Sequence, residues 1–182
     1  MAKVQFIKKW CVDNGYTYKK ILNDDSITKI YELLNSNFIV PFELIEFCYY
    51  GSYYKQQKDY DNMKKYFLMA IEKGHSSAMY NLGLYYKQQK DYDNMKKYYL
   101  MAIEKGHSYA MYSLGFYYKQ QKDYDNMKKY YLMAIEKGHS YAMYSLGFYY
   151  KQQKDYDNMK KYYLMAIEKG HSYAMYSLGF YY

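Results

Sequence analysis

Arginine is missing from this chain: all 26 basic residues are lysines, a bias that reads as A/T-rich coding rather than as a chemical requirement. Cysteine is almost missing. With only Cys11 and Cys48, no disulfide framework is expected, and a reducing, cytosolic compartment is the default. No run of 18 apolar residues occurs, which argues against a membrane-spanning helix. Met1 to Asn14 places Val4, Ile7 and Cys11 on one helical face beside Trp10, yet lacks the sustained apolar core of an export signal. Proline occurs once, at Pro41.

What the chain has in excess is tyrosine, with 33 residues, and repetition. The stretch AMYSLGFYYKQQKDYDNMKKYYLMAIEKGHSY, Ala110 to Tyr141, recurs unchanged at Ala142 to Tyr173. A looser copy fills Ser77 to Tyr109, a looser one still fills roughly Glu46 to Ser77, and a fifth begins before Tyr182. Read with a 3.6-residue period, each unit divides into two helices around the polar run KQQKD. In the first helix Ala110, Leu114 and Tyr118 align, with Met111 and Gly115 beside them. Glycine inside a helix costs about 1 kcal/mol relative to alanine, so Gly115 is expected to be a notch for a close neighbour. In the second helix Tyr124, Met127, Tyr131, Ala134 and Ile135 form the expected buried stripe, opposite Lys128, Lys129 and Glu136. Asp123 can cap its start, Gly138 can end it, and Asp125 precedes Lys128 and Lys129 at helical spacing. One hairpin cannot bury both its faces, so the units must stack into a solenoid.

The runs A-M-Y-S-L-G-F-Y-Y and D-Y-D-N-M-K-K-Y-Y-L-M-A-I-E-K-G resemble the Sel-1-like repeat, a branch of the tetratricopeptide superfamily. Leu114, Gly115, Tyr118, Tyr131 and Ala134 fall where that superfamily places its signature residues. The 32-residue period is shorter than usual, and KQQK replaces the glycine-rich insertion of Sel-1-like units, so the turn inside the unit is expected to be tight. His139 stands where proline is usual, which leaves the link between units less rigidly specified. The Tyr, Lys and Asn usage is similar to that of arrays common in large DNA viruses of protists, which would place the chain in host cytoplasm. The expected fold is all-α: a right-handed α-solenoid of antiparallel helical hairpins over residues 46–182, preceded by an N-terminal helical cap over residues 1–45. In that cap Ile27, Ile30, Tyr31 and Leu34 line one helix, and Pro41 opens another that reaches Gly51, where the regular pattern begins.

The resemblance implies that the first helix of each unit lines a concave groove that receives a protein or peptide segment. The residues expected there are Tyr80, Asn81, Leu84 and Lys87 in the looser copy. In the next unit they are Tyr109, Tyr112, Ser113, Phe116, Lys119 and Gln120. In its identical copy they are Tyr141, Tyr144, Ser145, Phe148, Lys151 and Gln152. The Lys and Asn pair that clamps a C-terminal carboxylate in some tetratricopeptide domains is replaced by Tyr, Ser and Phe, so no such clamp is expected. His75, His107, His139 and His171 recur one per unit, but equivalent atoms stand about 10 Å apart, too far to meet on one ion. They are expected to face solvent just past a helix end, with no metal and no cofactor site.

Net charge is +8 and each regular unit carries +2, so a nonspecific single-stranded RNA-binding array is the alternative, although identical units can read no mixed sequence. An enzyme accessory with a site in the N-terminal segment is a second alternative. The unrepeated Trp10, Cys11, Cys48, Asp24, Asp25, Glu43 and Glu46 include no histidine to activate either thiol, so no catalysis is expected. The chain stops inside its fifth unit, so Leu178 and the last tyrosines are expected to lack part of their packing: fraying, or truncation from a longer array, is favoured over a dimer interface, with self-association as the remaining alternative.

Overall fold

The computed structural model describes residues 42–181. The expected N-terminal cap, with the Val4 to Cys11 face, the Ile27 to Leu34 helix and Pro41, lies outside the described residues. Among the described residues there are nine helices and no strand. They are α1 (Phe42–Gln56), α2 (Tyr60–Glu72), α3 (Ser76–Gln88), α4 (Tyr92–Glu104) and α5 (Ser108–Gln120), then α6 (Tyr124–Glu136), α7 (Ser140–Gln152), α8 (Tyr156–Glu168) and α9 (Ser172–Gly179). The pairs α3 and α4, α5 and α6, and α7 and α8 pack as hairpins, and each hairpin leans on the next, so residues from Phe47 onward form one solenoid unit. Helix α1 reaches Gly51 as expected and continues beyond it to Gln56, because Gly51 is a packing position equivalent to Gly115, set against the Phe67 ring.

The sharp turns follow from how each helix ends. At the end of α6 the His139 N–H donates to the Ala134 carbonyl at 3.0 Å, and the Gly138 N–H donates to the Ile135 carbonyl at 2.8 Å. Gly138 sits at φ +77°, in the left-handed region this Schellman pattern requires. The end of α5 repeats the pattern without glycine. There Asp123 N–H donates to Tyr118 O at 3.0 Å, Lys122 N–H donates to Lys119 O at 3.1 Å, and Lys122 itself takes φ +59°. The turn inside the unit is therefore tight, and a lysine bears its backbone strain.

Each of these two turns hands the chain on through a single residue. Asp123 closes the end of α5 and caps the start of α6, its Oδ1 accepting the Asn126 N–H at 3.1 Å and its Oδ2 the Asn126 side-chain amide at 2.7 Å. His139 does the same between units: it closes α6 and its Nδ1 accepts the Ala142 N–H at 3.3 Å, capping α7. The link between units is thus specified by histidine in place of proline.

The core is built from the expected stripes with one exchange. Ala110, Met111, Leu114, Met127, Tyr131 and Ala134 are buried, and Tyr118 and Ile135 are half-buried against them. Gly115 is the expected notch, because a Cβ there would stand 2.7 Å from Cδ1 of the fully buried Tyr131. Tyr124 is not in the core. As the first residue of α6 it lies 42% exposed, with its ring tilted against Tyr149 of the next unit at 5.4 Å. Tyr130 takes the inner place instead, stacked on Tyr118 at 5.6 Å with 3° between the planes. Lys129 and Glu136 are exposed as expected, while Lys128 is half-buried and pairs with Asp125 at 3.2 Å.

Candidate functional site

The first helices α3, α5 and α7 contain tyrosine, lysine, glutamine and serine but no aspartate or glutamate. Their exposed face is a strip of rings that crosses from unit to unit. Tyr112 stacks on the buried Tyr131 at 5.7 Å and on His139 at 4.8 Å, so it is half-buried and held from below. Its ring lies 6.5 Å from Phe116 in the same helix and 6.4 Å from Tyr141 in the next unit. Tyr109 and Tyr141 stand out at 57% and 54% exposure. The Lys87 ammonium lies over the Phe116 ring at 5.4 Å, and Lys119 lies over Phe148 at 5.3 Å, so each lysine covers the phenylalanine one unit further on.

The expected site residues do not all join this strip. Tyr80 occupies the Tyr112 position one unit earlier, stacked on Tyr99 and His107, and Leu84 packs half-buried at the Phe116 position. Tyr144 repeats Tyr112 against Tyr163 and His171. Gln120, Lys151 and Gln152 are exposed. Ser113 is buried, and Ser145 is half-buried. The hydroxyls of Ser113 and Ser145 bear on the buried phenols of Tyr99 and Tyr131, and Asn81 folds its amide back onto the Ser77 carbonyl at 2.9 Å. Burial raises the Tyr131 phenol well above its ordinary range; Ser145 opposes that shift without closing a hydrogen bond.

The histidines correct another expectation. His139 and His171 are buried and His75 and His107 are half-buried; His107, His139 and His171 each lie against the tyrosine rings of successive first helices. The His139 ring stacks on Tyr112 and meets Tyr109 edge-on at 4.7 Å, leaving its Nε2 buried and unpaired. Burial lowers the pKa of all four. A sign of this role was present in the sequence: Lys-Gly-His ends one helix as Gln-Lys-Asp ends the other, which puts His139 where Asp123 stands. Among the described residues no group of three or more histidine, cysteine, aspartate or glutamate residues could hold a metal ion. Burial raises the Cys48 thiol to about 12, which makes it a poor nucleophile.

Hairpins stacked in sequence, with a ring-lined face on every first helix, define a helical repeat solenoid. The sequence matches the tetratricopeptide repeat over residues 48–72, 76–104, 108–136 and 140–168, and the chain belongs to that family. Repeats of this type generally serve as scaffolds for protein interaction. A Sel1 repeat protein from Oxalobacter formigenes superposes with a TM-score of 0.64 at 26% identity, over 81% of this chain and 66% of that one. The antigen c5321 of uropathogenic Escherichia coli, described as having an SLR fold, gives 0.64 at 20% identity, over 88% of this chain and 41% of that one. MamA gives 0.56 at 20% identity, over 84% and 91%. The chain therefore spans about two thirds or less of the first two, and the two likenesses at 20% identity concern fold alone. No curated protein is similar enough in sequence to count as a relative. No helix among the described residues is long and apolar enough to cross a membrane.

Proposed function

We propose that the protein is a non-enzymatic scaffold of the Sel-1-like kind that receives a protein segment along the first helices of its units. Support comes above all from the strip running Lys87, Phe116, Tyr112, Tyr141, in which three successive units contribute neighbouring groups. Rings held from below by Tyr131 and His139 offer contact area with little side-chain entropy left to lose. Of the second-helix lysines, Lys96 and Lys128 are less suited to tracking a phosphate backbone, since they are already paired with Asp93 and Asp125. With its few cysteines the chain belongs in this reading to a reducing, cytosolic setting, in a host cell if its tyrosine, lysine and asparagine usage has a viral source.

Selection from a displayed peptide library tests the assignment. Peptides are expected to be enriched on the intact chain and to lose binding to a Tyr109→Ser, Tyr141→Ser, Phe148→Ser variant whose circular dichroism is unchanged. Enrichment that survives those substitutions, or binding that goes to RNA instead, overturns it.

A further inference from the structure

The charges of each unit are sorted between its helices. In the regular units the described aspartates and glutamates sit at the starts and ends of the second helices: Asp123, Asp125 and Glu136 in one unit, and Asp91, Asp93 and Glu104 in the unit before. The first helices hold none, and each carries one lysine in its last turn: Lys87, Lys119 and Lys151. A lysine there suits the negative end of the helix dipole, which is its minimal role. Yet the ammonium groups of Lys87 and Lys119 lie over rings, and a ring leaves the full positive charge in place. The ion pairs to Asp61, Asp93 and Asp125 belong to Lys64, Lys96 and Lys128 of the second helices. The ring strip is thus bordered by one lysine charge per unit without a carboxylate partner, and those of Lys87 and Lys119 lie beside a phenylalanine.

Spacing converts this into a periodic requirement. Equivalent positions in stacked hairpins lie about 10 Å apart, given helix packing distances of roughly 8–10 Å. An extended or polyproline-type segment advances about 3.1–3.4 Å per residue, so about three of its residues span one unit.

Building on the scaffold reading above, we propose that the segment received is acidic, with a carboxylate at every third residue, one for each of Lys87, Lys119 and Lys151. The residues between them lie on the tyrosine and phenylalanine rings. Complementary charge sets the register along the array, while the rings supply the contact area.

Fluorescence anisotropy with the full chain tests this, using labelled peptides of about five Glu-Ala-Pro triplets, enough to span the three lysines at about one triplet per unit. The controls are a peptide of the same composition with its glutamates gathered at one end, one with glutamine for glutamate, and oligouridylate. The periodic peptide should bind at least about tenfold more tightly than either control peptide, a difference of about 1.4 kcal/mol. Lys87→Gln with Lys119→Gln and Lys151→Gln should remove that advantage. The same charge change on the second helices, Lys97→Gln with Lys129→Gln and Lys161→Gln, should leave it intact. Equal binding of the clustered peptide, equal loss in both lysine variants, or preference for oligouridylate overturns the proposal. If the library instead yields neutral peptides that depend on Tyr109 and Tyr141, the acidic register fails while the scaffold reading stands; if it yields none, both fail.

Discussion

The Ala142 amide donates its hydrogen to Nδ1 of His139 at 3.3 Å, so the start of a helix depends on a histidine being neutral. His75 and His107 accept from Ala78 and Ala110 in the same way at 3.4 and 3.3 Å, whereas His171 makes no such bond. The groups facing His139 are the Tyr109, Tyr112 and Tyr141 rings, and His107, when protonated, further disfavours a second charge on His139. Because folding lowers these pKa values, the unfolded chain binds more protons below about pH 6.5, and stability must fall there. It is fully present above the unfolded value and is lost as pH drops from it toward the lower folded value. A cap is worth about 1 kcal/mol, and in a chain of this size that moves the melting midpoint by roughly 2–4 °C. Melting curves should therefore be flat above about pH 7 and decline below about 6.5. A His75→Asn, His107→Asn, His139→Asn variant keeps an uncharged cap and should flatten that decline; an unchanged pH profile would refute the role.

Gly115→Ala should destabilise the protein although alanine is the better helix former. The added Cβ would lie 2.7 Å from a ring that is fully buried and has Tyr112 stacked on it, so the ring has little room to retreat. Overpacking of this kind costs about 1–3 kcal/mol, more than the roughly 1 kcal/mol of helix propensity gained. Urea unfolding of the variant against the parent gives the sign directly.

Lys122→Gly should stabilise. Lys122 is exposed and takes φ +59°, where a side chain costs roughly 1–2 kcal/mol that glycine avoids, less some entropy glycine gains in the unfolded chain. The net gain expected is about 0.5–1 kcal/mol per turn, read as a rise in the denaturant midpoint. The equivalent changes at Lys90 and Lys154 should add to it, because these residues lie in separate turns.

Tyr131→Phe should be neutral or stabilising by up to about 1 kcal/mol. The Tyr131 hydroxyl is buried without a hydrogen-bond partner, and a polar group left unpaired is costly to bury. The ring that supports Tyr112 is kept by the substitution. A loss of more than about 1 kcal/mol in urea unfolding would mean that the hydroxyl is bonded in solution, with Ser145 the first partner to test by substitution.

The Asp123 cap, the Gly115 notch and the stack of hairpins were all legible in the sequence: the cap is a contact three residues long, the notch is a glycine at a helical core position, and the stack follows from repetition of the unit. Periodicity ranks the faces of a single helix, and repetition in register showed that one face must meet a copy of itself. Contact between units settled the rest. Tyrosine lies on several sides of both helices, so the apolar period could not tell that Tyr130 goes in and Tyr124 stays out. Ser113 is polar yet buried, since the Tyr99 phenol of the preceding unit reaches it. His139, just past a helix end, would face water in an isolated hairpin. It is buried because Tyr109, Tyr112 and Tyr141, from its own unit and the next, close around it. Local chain geometry determined the hairpin, whereas the burial of junction residues was decided only when neighbouring units excluded water from them.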